Sequence, residues 1–189
     1  MTLLDGIAWC WAIFFIFWLV TAFSAKPAVE RQNRAGRLGY LSLLVLGFGL
    51  LSRGSSRPAS PLGFLILPPS SAVLITGFVL TVLGLVLALW ARTTLGTNWS
   101  GTVTFKKDHE LIRRGPYAFV RHPIYTAVLL MFLGTAIARG NVGGFAGLTF
   151  VFASIWIKLK QEEALLLRHF PNEYASYCSR VKRLVPFLL

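Results

Sequence analysis

Five apolar runs alternate with compact polar stretches along this chain. They cover residues 7–23 (with Trp9, Trp11 and Trp18 inside), 38–51, 72–91, 124–138 and 142–157. A hydrocarbon core about 30 Å thick takes roughly 20 helical residues, so the pattern predicts five helices on the length scale of a bilayer. The third run is the clearest, and the second is shorter and contains glycine. The last two are split only by Arg139, Gly140 and Asn141, and each is a little short. They read as a tight helical hairpin, with Gly143, Gly144 and Gly147 letting its two helices approach closely. Only Asp5 precedes the first run as a charge, and no convincing small-x-small cleavage site follows it. It therefore reads as a retained helix and not as a signal peptide.

The polar stretches organise the rest. Residues 52–71 are a Ser/Pro/Gly-rich loop that ends in Pro68-Pro69 before the third helix. Residues 92–123 and 158–189 hold most of the remaining polarity. The second of these continues the fifth helix, with Leu159, Leu165, Leu166, Phe170, Tyr174 and Tyr177 as an apolar stripe. Pro171 should break that helix, with Asn172 as the N-cap of a restart, and residues 185–189 should return to the bilayer surface. There is no internal repeat. One membrane domain over 1–189 is expected, with N-terminal helices in 1–91 and the chemistry in 92–189.

Composition and charge sharpen this picture. Of 189 residues, 55% are hydrophobic and 14% charged, outside the range of ordinary soluble domains. The net charge of +12 is not evenly spread. Sixteen of the 19 basic residues lie in 24–37, in 91–122 or beyond 157. With five spans these segments share one side, which the positive-inside rule makes cytosolic, with the N-terminus outside and the C-terminus inside. The basic face also attracts anionic membrane lipid. No basic stripe is interleaved with exposed aromatics, so nucleic acid is not an expected partner. Cys10 and Cys178 fall on opposite sides and cannot pair, and no metal-ligand spacing is present.

Candidate chemistry concentrates in residues 115–125, Gly-Pro-Tyr-Ala-Phe-Val-Arg-His-Pro-Ile-Tyr, where Pro116 and Pro123 stiffen the backbone. Tyr117, Arg121, His122 and Tyr125 crowd into nine positions at the mouth of the fourth apolar run. Farther on, Glu162 and Glu163 are adjacent on a helix and point about 100° apart. They cannot form one dyad, but one can face a pocket while the other faces water or a lysine. Two acids in a basic tail offer counter-charge to a cationic ligand. His109 is a loop candidate, whereas His169 reads as surface. Phosphate-loop, dinucleotide-binding, Ser-His-Asp, His-Glu-x-x-His and Asp-rich prenyl-diphosphate motifs are missing. What remains is a membrane-surface pocket of mixed polarity.

These motifs carry a resemblance. Gly115-Pro116-Tyr117, Val120-Arg121-His122-Pro123 and Tyr125 resemble the signature of the isoprenylcysteine carboxyl methyltransferase family. Glu162-Glu163, Leu166, Phe170, Glu173-Tyr174 and Tyr177, closing at Pro186, are similar to that family's C-terminal signature. Leu95-Gly96 and Asn98-Trp99-Ser100 resemble the segment preceding both. Three motifs in the expected order are far more specific than any one. Ala127 departs from a position where the family commonly has glycine, and the first two helices carry no motif.

The resemblance implies an all-α integral membrane fold of about five helices, the fourth and fifth forming a hairpin. It implies S-adenosylmethionine as methyl donor, in a cytosolic pocket closed by the C-terminal tail. Carried over residue by residue, it implies that His109, Leu111, Gly115, Tyr117, His122, Pro123, Tyr125 and Glu163 bind the cofactor, with Glu162 beside it. Tyr117 or Tyr125 would hold the sulfonium by cation–π contact. The implied acceptor is a lipophilic or lipidated molecule, isoprenylcysteine-like, bearing a carboxylate. Arg121, Glu162 and Arg168 are the catalytic candidates. Either arginine would orient that carboxylate, which needs no general base, whereas an amine acceptor would need Glu162 or His122. Two alternatives stand: a phospholipid N-methyltransferase of the same architecture, and an NADPH-dependent sterol reductase, a class with a similar Arg-His-x-x-Tyr hairpin in longer chains.

Overall fold

The computed structural model describes residues 2–23, 28–31, 34–56, 60–99, 104–106 and 111–188. Five apolar helices form a bundle. α1 spans Leu3–Ala22 and starts in a capping box, with the Asp5 amide donating to Thr2 Oγ1 and the Thr2 amide to Asp5 Oδ2. α2 spans Arg34–Ser56, and α3 spans Ser71–Leu95 behind an N-cap at Ser70. α4 spans Pro123–Arg139 and ends at left-handed Gly140. α5 spans Val142–His169, with Asn141 Oδ1 accepting from the Gly144 amide as its N-cap. Three helical stretches, Leu3–Ala22, Ser71–Asn98 and Val142–His169, are long and apolar enough to cross a membrane, and Gly36–Ser52 and Pro123–Arg139 are shorter apolar helices. Outward side chains such as Ile16, Val20, Val45 and Val86 are exposed, the surface of a bundle solvated by lipid.

Apolar side chains gain little by leaving lipid for one another, so close backbone approach must hold such a bundle together. Small residues supply it. A Cβ at Gly77 of α3 would lie 2.5 Å from the Gly134 carbonyl of α4, and one at Gly134 equally close to the Gly77 carbonyl. Likewise a Cβ at Gly147 of α5 would lie 2.6 Å from the Gly47 carbonyl of α2. The main seams are therefore α3 on α4 and α2 on α5, with α1 against α3. The expected hairpin of α4 and α5 is present but is a looser seam than these two. α4 and α5 are consecutive and touch at Gly144 and Ala136, but each packs more extensively on an earlier helix, and Gly147 faces α2.

The connections sort to two ends. At one, the Ile66 amide donates to the Gly140 carbonyl and the Val142 amide to the Phe64 carbonyl, joining the α2–α3 and α4–α5 loops. At the other, β1 (Ala28–Arg31) pairs antiparallel with β2 (Thr104–Lys106). That ribbon ties the α1–α2 connection to the α3–α4 connection. The basic segments thus gather at one end of the bundle, as the charge pattern predicts. The fifth helix runs unbroken past the apolar region, and a restart follows as α6, Pro171–Arg180. Its N-cap is Phe170 and not Asn172. Pro171 takes the first helical position, where its missing N–H costs nothing and its fixed φ suits the helix.

The close seams generate a stability test. Gly134→Val should lower the detergent unfolding temperature, at a cost of about 1–3 kcal/mol for overpacking. Gly39→Ala, where nothing lies within 4 Å of the new Cβ, should leave it unchanged or slightly raised. Equal losses for both variants would contradict the seam.

Candidate active site

The site begins where the α3–α4 connection turns into α4. Gly115 adopts φ +60° and opens a short 3-10 helix, Gly115–Ala118, with Pro116 in its first turn and Tyr117 buried. Glycine suits that position because L side chains rarely adopt it, and because a Cβ would press on Thr94. Pro123 starts α4 and leaves His122 at the helix mouth. The C-terminal tail then lies along this turn. The Arg121 amide donates to the Lys182 carbonyl (2.8 Å), the His122 amide to the Arg183 carbonyl (3.0 Å) and Thr126 Oγ1 to the Leu184 carbonyl (2.7 Å). The Tyr177 hydroxyl donates to the Tyr117 carbonyl.

A buried ion cluster locks this arrangement. Glu163 Oε1 accepts from Arg121 Nε (3.0 Å) and Nη2 (2.9 Å), and Glu163 Oε2 from Arg183 Nε (2.9 Å). Arg121 Nη1 donates onward to the Cys178 and Val181 carbonyls. The neighbouring glutamate points elsewhere: Glu162 Oε1 accepts from the Tyr125 hydroxyl at 2.6 Å. His122 sits between the two acids, with Nδ1 3.8 Å from Glu162 and Nε2 3.3 Å from Glu163. Its ring stacks on Tyr125 at 5.5 Å. Burial raises the Tyr117 and Tyr174 phenols far above their ordinary value and Tyr177 to about 12, so all three remain neutral. Burial also raises the Cys178 thiol, which leaves it unsuited to nucleophilic attack.

A cavity of about 440 Å³ runs through this region. Toward the tail it is walled by Leu111, Tyr117, Leu166, Tyr174 and Tyr177. A polar waist follows, with His122, Tyr125, Lys158, Glu162 and Tyr40, and Asn98 also lines the wall. The far end is an apolar well lined by Trp11, Phe14, Phe15, Leu44, Phe48 and Val128. Lys158 Nζ lies 5.6 Å over the Tyr40 ring and 5.5 Å over the Tyr125 ring. Among the described residues, the buried Tyr40 hydroxyl and Asn98 Oδ1 have no hydrogen-bond partner. Both belong to the cavity wall, so a polar ligand there would satisfy them.

The phospholipid methyltransferase family model matches residues 72–173, over half of the chain. The chain belongs to this family. Among curated relatives, it is 31% identical over 117 residues to a human protein-S-isoprenylcysteine O-methyltransferase, covering 60% of this chain and 41% of the relative. Protein-S-isoprenylcysteine O-methyltransferase B of Arabidopsis thaliana is 28% identical over 115 residues, with 59% and 58% covered. The corresponding protein of Saccharomyces cerevisiae is 30% identical over 117 residues, with 60% and 49% covered. The match thus spans about half the length of these relatives.

Within this phospholipid methyltransferase fold, several of the sequence candidates converge on one cavity. Leu111, Tyr117, Arg121, His122, Tyr125 and Glu162 line it. Gly115 and Pro123 shape the backbone behind it, and His109 lies outside the described residues. Three of the expected site residues have surroundings of their own. Glu163, expected at the cofactor, is 6% exposed and held in the arginine cluster, because the 100° offset between adjacent helical residues sends Glu162 to the cavity instead. Arg121, expected to orient a carboxylate, spends its donors on Glu163 and the tail carbonyls. Arg168 is exposed and away from the cavity lining. Missed by the motifs were Tyr40, in an apolar run, and Arg183, one of several tail cations. Arg92 was also missed: it is buried against the Trp99 ring at 4.4 Å while donating to the Thr21 and Gly96 carbonyls.

The two glutamates should separate experimentally. Glu163→Gln leaves buried arginine uncompensated and should cost about 3–5 kcal/mol, with faster amide exchange across residues 178–185. Glu162→Gln should keep that segment protected. Equal exchange in the two variants would contradict the division of roles.

Proposed function

We propose that this chain is an S-adenosylmethionine-dependent methyltransferase acting on the carboxylate of a lipophilic acceptor at the membrane face. The observation that carries the reading is the single cavity, whose polar waist joins a tail-walled compartment to an apolar well. A greasy tail in the well would bring its polar head to the waist, where it meets a cofactor in the compartment. The residues present fit S-adenosylmethionine. Glu162 supplies negative charge for a sulfonium and ammonium, Tyr117 and Tyr125 supply aromatic faces, and Tyr40 and Asn98 supply unsatisfied polar atoms. When bound, the cofactor provides an electrophilic methyl group.

The chain's own contribution is positioning and exclusion of water. Tyr125 fixes Glu162 through their hydrogen bond, and His122 stacked on Tyr125 fixes the ring. Residues 181–185, held by Arg121 and Thr126, brace the turn before α4, and Tyr174 and Tyr177 of α6 wall the compartment. A carboxylate acceptor needs no proton removed, so no general base is called for. Lys158, over the Tyr40 and Tyr125 rings at the waist, is the cation placed to meet that carboxylate. An amine acceptor would instead need a proton taken by Glu162 or His122. Family membership favours methyl transfer over the reductase alternative, and the isoprenylcysteine O-methyltransferase names of the relatives favour a carboxylate. Location follows the charge pattern: an integral membrane protein with its site on the cytosolic face and its N-terminus outside.

Purified protein incubated with labelled S-adenosylmethionine and either an N-acetyl-S-prenylcysteine (geranyl or farnesyl) or phosphatidylethanolamine decides the reading. Base-labile methyl ester on the prenylcysteine is the expected product. Label found only as base-stable N-methyl lipid would overturn the carboxylate assignment, and label in neither acceptor would overturn the proposed acceptors.

A further inference from the structure

The apolar well has a floor. The deepest lining residue on α1 is Trp11, on α2 Phe48 and on α4 Val128. There Trp11 and Phe48 close edge to face on each other and on Phe132 beneath them. Trp11 and Phe48 are 5.4 Å apart, Trp11 and Phe132 5.0 Å, and Phe48 and Phe132 4.6 Å. Phe132 is fully buried, and with Leu51, Val151 and Ile155 it forms the core cluster on which Trp11 and Phe48 pack. The indole cannot swing freely. Its Nε1 donates to Thr135 Oγ1 at 3.0 Å, and that buried hydroxyl in turn donates to the Met131 carbonyl at 2.8 Å. A tryptophan in an apolar helix interior, hydrogen-bonded across to another helix, is held at a fixed height.

That height sets a length. From Trp18 to Trp11 on α1 the wall runs seven residues, and from Glu162 to Ser154 on α5 eight, roughly 10–12 Å at the helical rise of 1.5 Å per residue. We infer that the Trp11–Phe48–Phe132 plug, with Trp11 pinned by Thr135, limits the tail length of the acceptor, selecting a single short prenyl or acyl chain. This rests on the methyl-transfer reading, because the well is taken as the seat of the acceptor's tail. Tails longer than the well must bend within it or leave sideways between helices, and either loses apolar contact that a fitting tail makes. Trp11 is thus a specificity-determining residue remote from the transferred methyl group, and Thr135 is its positioning residue.

The experiment compares N-acetyl-S-alkyl cysteines with geranyl, farnesyl and geranylgeranyl tails, measuring both kcat/KM for methyl transfer and binding, the latter by competition against a fluorescent geranyl analogue. Wild type should fall by about tenfold or more from the shortest tail to the longest. Trp11→Ala should level that series or reverse it, and Thr135→Val, which leaves the indole N–H unpartnered, should flatten it partly. S-adenosylhomocysteine should raise the melting temperature of all three proteins alike, showing that each variant is folded. A wild type indifferent to tail length, or variants that keep the wild-type ranking while folded, would overturn the floor. If Trp11→Ala does not fold, Trp11→Leu and the wild-type series carry the decision. Tails that bind with the predicted cut-off but are not methylated would sink the methyl-transfer reading and leave the floor standing.

Discussion

A carboxylate buried at the membrane edge is costly unless cations and hydrogen bonds compensate it, and Glu163 is such a group. Its two oxygens draw in Arg121 from the turn before α4 and Arg183 from the C-terminal tail. Arg121 is then committed, and its remaining donors reach the carbonyls of Cys178 and Val181. One ion cluster therefore joins α5, the α4 entrance and the tail. Because Glu163 is anchored inward, helical geometry turns Glu162 toward the cavity, where Tyr125 and His122 meet it. The polar waist depends on the clamp behind it.

The bundle supplies the other half of the site. In lipid, helices adhere through close packing and interhelical hydrogen bonds, and here glycines on α2, α3, α4 and α5 make two tight seams. α1 and α2 belong to different seams, so the space between their facing aromatics widens into the well. The Trp11–Thr135 hydrogen bond is the polar contact that fixes α1 against α4 at the well's base. The same apolar composition that makes the chain a membrane protein thus builds a lipophilic compartment under a charged one.

Much of this was legible in the residues. Apolar run lengths located the five helices, and charge placement foretold that the basic connections share one end. The Gly-Pro-Tyr to Arg-His-Pro-Ile-Tyr run marked the site because proline and glycine constrain backbone locally, which is a property of sequence. Illegible were the choices made by packing. Nothing local distinguishes Glu162 from Glu163, since the difference arises from which one meets arginines 42 and 20 positions away. Gly147 could serve α2 or α4 equally well by composition. Tyr40 and Trp11 look like ordinary residues of apolar helices until the fold places their polar atoms. Asn172 lost its capping place because Pro171 is the better first helical residue.

The most direct test is an experimental structure with S-adenosylhomocysteine bound. The ligand is expected between Glu162 and the Tyr174–Tyr177 wall, with residues 181–185 docked along the turn before α4 and Arg121 still paired with Glu163. A ligand held by the Glu163 carboxylate, with Arg121 released and the tail displaced, would contradict it.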